Sequence, residues 1–231
     1  MNLLNVKNLS VLIEQKLLIE NLSFELARGE KLCVLGPNGA GKTVLLRALL
    51  RLVPYRGEIT WAPDVSIGYV PQKLEADRHL PLTYNDLFEA KCKTINVPTK
   101  NTVEIAQSVG LTKEMLETPV GHLSSGQFQR GLIGFALIGQ PDVLLLDEPT
   151  ASIDEPGEEH IYELIGRLQN QFNLASIMVS HDLTFVSRYA TTVLCLNRRS
   201  LCIGSPQVAL SPEVLKNLYG EAYSYYHHTH C

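Results

Sequence analysis

A chain of 231 residues, 45% hydrophobic and 19% charged, has the composition of a soluble globular protein: one large domain, or a core carrying an inserted lobe. Its net charge of −4 gives no support to an extended nucleic-acid-binding surface. No apolar run approaches the about 20 residues needed to span a bilayer. The alternating start, Asn2-Leu3-Leu4-Asn5-Val6, reads as a strand and lacks the charged start and apolar core of a secretory signal.

Strand patterns follow at 9–13, 22–26, 32–35, 58–61 and 66–70, punctuated by turn chemistry at Arg28-Gly29-Glu30, Arg56-Gly57 and Ala62-Pro63-Asp64. The composition then changes. Helical patterns over 83–91 and 102–109, with Thr83 and Thr102 as predicted N-caps, and a short one after Thr112 make 74–122 a helical insertion. Ser124 or Ser125 caps a helix that runs to Leu137 and ends at Gly139-Gln140-Pro141. Val143-Leu144-Leu145-Leu146 is a continuous apolar strand of the kind buried on both faces of a parallel sheet. A helix over 156–171 places Ile161, Leu164, Ile165 and Leu168 on one face, and a strand at 175–179 and a short helix from Asp182 come next. Strands at 192–196 and 201–203 form a hairpin through Asn197-Arg198-Arg199-Ser200, and 211–231 is a C-terminal extension ending in an aromatic, His-rich tail. The five cysteines (33, 92, 195, 202 and 231) include no C-x-x-C pair. Three of them lie in strand-like stretches, so buried, reduced thiols are expected.

The chemistry starts at Gly36-Pro37-Asn38-Gly39-Ala40-Gly41-Lys42-Thr43, a full phosphate-binding loop between an apolar strand and a helix. Glycines at 36, 39 and 41 let main-chain N–H groups curl around phosphate oxygens, and the following helix adds its unpaired donors and positive dipole end. Lys42 then reaches the β- and γ-phosphates, and the Thr43 hydroxyl ligates Mg²⁺. The chain is therefore expected to bind a nucleoside triphosphate. A phosphate loop leaves the reaction open, and the segment ending Leu146-Asp147-Glu148 narrows it. Asp147 falls at the C-terminal edge of a buried strand, where ligands sit in such sheets, and there it is expected to hold Mg²⁺, directly or through water, opposite Thr43. Glu148 points elsewhere, toward an attacking water, as a general base or a water-orienting group.

With these residues in hand the chain resembles the nucleotide-binding subunit of an ATP-binding-cassette (ABC) transporter over nearly its whole length. Leu123-Ser124-Ser125-Gly126-Gln127 resembles the family signature, followed by Gln129-Arg130. Gln72 matches the glutamine-loop position, 151–154 the loop after the catalytic acid, and His181 the switch histidine. The resemblance implies an α/β fold: a P-loop NTPase core with a parallel sheet (1–73 and 123–210), an N-terminal antiparallel β subdomain and an inserted α-helical subdomain (74–122). It implies ATP and Mg²⁺ as cofactors, with Gln72 joining Thr43 and Asp147 around the metal and Glu148, His181 and Gln72 serving catalysis. Ser124 opens a helix, so its hydroxyl and the next N–H groups make a second anion site. In the family, Ser124, Ser125, Gly126 and Gln127 would close over the γ-phosphate held by a second copy, giving a homodimer of cassettes with Asp154 in its communication. Integral-membrane permease subunits, an extracytoplasmic solute-binding protein, a peripheral place on the cytoplasmic face of the membrane and no nucleic-acid partner complete the expectation.

Three departures from the family pattern stand out: Ser125 replaces the usual Gly, Gly134-Phe135-Ala136 replaces Ala-Arg-Ala with loss of a cation, and Ile13 stands where relatives stack an aromatic ring on adenine. The tail, with His227, His228, His230 and Cys231, offers soft metal ligands and resembles the end of ATPase subunits of zinc importers, with manganese and iron importers as neighbours. A soluble ABC ATPase that moves no solute, a subunit for another cargo and a nucleic-acid-repair ATPase remain as alternatives, though 74–122 is too short for the coiled coil of the last.

Overall fold

Polar–apolar alternation near the N-terminus folds as a hairpin, β1 (Asn2–Ile13) and β2 (Lys16–Ala27). This is seen in a computed structural model of the chain, which describes residues 2–72, 81–151 and 153–220. Leu4, Val6, Leu9 and Val11 of β1 and Ile19, Leu22, Phe24 and Leu26 of β2 are buried. A third strand, β4 (Arg56–Trp61), pairs antiparallel with the other edge of β1, giving the order β2-β1-β4. This is the antiparallel subdomain expected from the sequence.

The parallel strands follow from near-continuous apolar runs. The strand β3 (Lys31–Leu35) lies between β7 (Ala175–Val179) and β8 (Thr192–Asn197), parallel to both, and β9 (Arg199–Gly204) adds antiparallel to β8. Every residue of β7 is buried, as two-sided burial requires. Helices α1 (Lys42–Leu49), α7 (Leu183–Tyr189), α8 (Pro206–Ala209) and α9 (Pro212–Tyr219) belong with these strands, in the compact unit made by residues up to Asp64 and from Ala175 onward.

The second unit, Val65–Leu174, holds the parallel pair β5 (Ile67–Val70) and β6 (Val143–Asp147) and five α-helices among its described residues. These are α2 (Tyr84–Thr94), α3 (Asn101–Ser108), α4 (Lys113–Glu117), α5 (Ser125–Leu137) and α6 (Glu155–Gln171). Thr83 caps α2 as expected, in a reciprocal box with Asp86 whose hydrogen bonds hold that carboxyl below its usual range. Thr112 caps α4. The expected cap at Thr102 is wrong. The helix α3 starts one residue earlier behind Lys100, and the Thr102 hydroxyl donates backward to the Thr99 carbonyl at 2.7 Å. A turn at Pro98-Thr99 already winds the chain, so the helix does not wait for its capping residue.

Packing of α5 on α2 turns on two aromatic contacts. Tyr84 is fully buried, its hydroxyl donates to the Phe128 carbonyl at 2.6 Å, and its ring lies where a Cβ on Gly131 would fall, 1.9 Å from Cε2. Gly131→Ala therefore overpacks this helix pair and is expected to cost about 1–3 kcal/mol, near the upper end because the ring cannot swing away. For a chain of this size that lowers the melting temperature by roughly 3–10 °C, checked by circular dichroism on heating. An unchanged melting curve would mean that the helices separate freely.

A cation from a neighbouring helix packs on Phe135. Lys91 of α2 sits with Nζ 4.6 Å from the Phe135 ring centroid and donates to the Phe135 carbonyl. Burial pushes this ammonium down to about 8 from 10.5. Between those values the unfolded chain binds the more protons, so the contribution of Lys91 to stability rises as pH increases from about 8 toward 10.5. Melting curves of wild type and Lys91→Met should therefore diverge in favour of wild type across that window; parallel pH profiles would contradict it.

Cys33 and Cys92 are buried free thiols, and burial, aided by the Asp182 carboxylate, pushes Cys33 up. The expectation of reduced thiols fails at Cys195 and Cys202, which are joined in a disulfide with their Cα atoms 4.9 Å apart. The antiparallel register sets the two directly opposite, on one face of the hairpin. Reading each thiol singly from its strand could not show that pairing.

Candidate functional site

The phosphate loop leaves the end of β3 and enters α1, the strand–loop–helix context its sequence requires. Gly36 leaves no room for a side chain without a shift of the backbone, since a Cβ there would lie 2.0 Å from the backbone carbonyl oxygen of Leu196. Gly41 is the N-cap of α1 at φ 100°, and a Cβ on it would meet the Leu18 carbonyl at 2.7 Å. Lys42 is buried and folds back over the loop, donating to the carbonyls of Gly36 at 2.8 Å and Pro37 at 3.2 Å. Thr43 follows in the first turn of α1. Asn38 and Gly39 are exposed at the tip, and Ala40 is buried, its carbonyl accepting from Arg198 N–H at 3.0 Å. Residues 36–43 thus form a cradle of main-chain groups closed by an ammonium, the donor set a polyphosphate needs.

In the same unit, His181 stands exposed between β7 and α7, fixed from both sides. Asp182 caps α7 by accepting from the N–H groups of Thr184 and Phe185, and its own N–H donates to the Ser180 hydroxyl at 3.1 Å. This clamp fixes the backbone on which the imidazole is carried.

The acidic pair lies in the second unit. Asp147 is the last residue of β6 and only 1% exposed, as the apolar run predicts. At Glu148 the backbone turns to φ 44°, a left-handed conformation costing about 1–2 kcal/mol for a residue with a side chain. Past that turn the Glu148 carboxylate accepts a 2.7 Å hydrogen bond from the Gln72 amide. Two residues expected to act together, 76 positions apart in sequence, are thus in contact. Beyond them the loop is pinned by Thr150, buried and donating to the Tyr162 hydroxyl at 3.0 Å.

The signature segment also folds as a device. Ser124 caps α5 in a reciprocal box: its hydroxyl accepts from Gln127 N–H at 3.3 Å, while Gln127 Oε1 accepts from Ser124 N–H at 2.9 Å. Accepting that bond leaves the serine O–H hydrogen for donation outward. Ser124 and Ser125 are exposed, and apart from its chain neighbours and its own helix backbone nothing among the described residues lies within 4 Å of a Cβ placed on Gly126. Asp154 occupies the N-cap position of α6 without a side-chain capping bond. Ile13 ends β1 and pairs with Lys16 across the hairpin tip, half-buried. The tail residues His227, His228, His230 and Cys231 lie outside the described residues. Sequence reasoning missed Arg198, whose main chain braces the phosphate loop. It sits in a one-residue turn at φ 63°, and nothing in its neighbours signals that role.

Residues 19–151 match the family model described as ABC transporter. The chain belongs to the ABC transporter family. Among curated ABC relatives, "Zinc import ATP-binding protein ZnuC" of Chromohalobacter salexigens is 37% identical over all of this chain and 96% of its own length. The protein of the same name from Ruegeria sp. is 39% identical over 92% and 85%, and that of Pasteurella multocida 34% over 96% and 83%. A solved chain of a "metal-chelate type ABC transporter" in an inward-facing conformation superposes with a TM-score of 0.84 and 27% identity, over 95% of this chain and 89% of that one. The ATP-binding cassette MJ1267 in its ADP conformation gives 0.81 over 96% and 100%; at 19% identity it speaks to the fold alone. The expected cassette fold, and an ATPase that serves a transporter, are met. No helix among the described residues is long and apolar enough to cross a membrane.

Proposed function

We propose that this chain is the ATP-hydrolysing subunit of a zinc importer. The hydrogen bond that joins Gln72 to Glu148 carries the catalytic half of this reading, because it holds a carboxylate in a strained turn beside an amide. Main-chain N–H groups of 36–43 and Lys42 take the β- and γ-phosphates of ATP. Thr43, Asp147 and Gln72 supply a hydroxyl, a carboxylate and an amide oxygen. These are hard oxygen donors that suit Mg²⁺, which when bound neutralises phosphate charge. Glu148 accepts a proton from the attacking water, and His181 donates a hydrogen bond to the γ-phosphate.

Ser124, Ser125, Gly126 and Gln127 of a second copy close over that γ-phosphate, so each site is completed by a twin, with Asp154 relaying between the two. The cassettes work from the cytoplasmic face of the membrane, on a pair of permease subunits that meet the 74–122 lobe, with an extracytoplasmic protein delivering the solute. Nucleic acid has no part in it.

Zinc is chosen because three relatives at 34–39% identity across almost the whole chain carry zinc import in their names. A strain lacking this chain should stop growing under a zinc chelator and recover with added zinc or with the gene. Recovery with manganese or iron alone would reassign the cargo, and undiminished growth would remove it.

A further inference from the structure

The hairpin that braces the phosphate loop carries the disulfide. Cys195 pairs with Leu35, the residue before Gly36, in the parallel ladder of β3 and β8. The next carbonyl, that of Leu196, is the group against which Gly36 rests. Arg198 N–H then donates to the Ala40 carbonyl at 3.0 Å, and the Arg198 carbonyl accepts from Glu20 N–H at 2.7 Å, which ties the same turn to β2. Between Cys195 and Leu196 the ladder slips. Cys195 faces Cys202 but Leu196 faces Ser200, so a bulge follows at once. The Cys195–Cys202 bond therefore closes the last regular rung before an irregular turn that touches the phosphate loop at Gly36 and at Ala40. Cys195 is fully buried, whereas Cys202 is half-buried on β9, so it is the member of the pair on the more open strand.

We infer that Cys195 and Cys202 form a reversible thiol–disulfide site, worked by a dithiol reductant, whose state sets how firmly the phosphate loop holds its triphosphate. The inference rests on the reading of 36–43 as a nucleotide cradle. In the forward step a reductant thiolate attacks Sγ of Cys202, the S–S bond breaks, and its electron pair goes to Cys195, which takes a proton. The second thiolate of the reductant attacks its own sulfur in the mixed disulfide and releases Cys202, which is protonated. The protein gains two electrons and two protons, and the dithiol leaves as a disulfide. An oxidised dithiol runs the exchange backward. Intracellular disulfides of this kind are usually transient and redox-sensing. Without the cross-link the bulge and turn gain freedom, and the loop they brace must be ordered when phosphate binds.

The full chain, prepared oxidised and after dithiothreitol, is titrated with a fluorescent N-methylanthraniloyl ATP while released thiols are counted. Reduction should free two thiols and weaken binding about three- to tenfold, the scale set by ordering a few residues on binding. Cys202→Ala should bind like reduced wild type under both conditions. Equal affinity in both states despite release of two thiols overturns the redox site and leaves the nucleotide cradle standing. Failure to release thiols overturns it as well. Absence of binding in either state overturns the cradle and the switch together.

Discussion

Glu148→Gln is expected to lower steady-state ATP turnover by about 10²–10⁴-fold, the range lost with a positioned general base. It should leave the dissociation constant for ATP close to that of wild type. The amide oxygen of glutamine still accepts the 2.7 Å bond from Gln72, so the loop geometry and the left-handed turn at 148 have no reason to change. What disappears is the lone pair basic enough to take a proton from water. Phosphate release and nucleotide affinity, measured on one preparation, separate the two effects. Turnover within about tenfold of wild type would strip Glu148 of its role as base, and loss of affinity would make it a binding residue.

Lys42→Ala is expected to weaken ATP binding by about 10²-fold, or ~3 kcal/mol, from two losses at one residue. The ammonium no longer meets the β- and γ-phosphates. In addition, the carbonyls of Gly36 and Pro37 lose the donor that ties the loop together at 2.8 and 3.2 Å. Isothermal titration with ATP reads the sum. Gly36→Ala tells the two apart by disturbing the loop through the Leu196 carbonyl while keeping the charge. Affinity within about threefold of wild type in Lys42→Ala would mean that the triphosphate is held elsewhere.

Those residues were legible because local chemistry fixes them: a glycine-rich loop between strand and helix, an acid ending an apolar run, a serine three positions before a glutamine. Each needs only neighbours in sequence. The capping box at Ser124 and the burial of 143–147 follow from the same short-range rules.

What escaped depends on partners far along the chain. Nothing next to Glu148 announces that its backbone goes left-handed or that Gln72 lies against it. The packing of Lys91 on Phe135, 44 residues away, is a contact that periodicity cannot express. The pairing of Cys195 with Cys202 required the register of a hairpin, and Thr102 failed as a cap because the preceding turn had already committed the chain.

Sedimentation of Glu148→Gln with and without ATP and Mg²⁺ tests most directly the claim that two copies share each nucleotide. The account predicts single protomers in buffer and two-protomer particles once nucleotide is added, reverting to single protomers when Ser124 is replaced by Arg. Particles of one protomer that carry bound ATP, with Ser124→Arg making no difference, would contradict it.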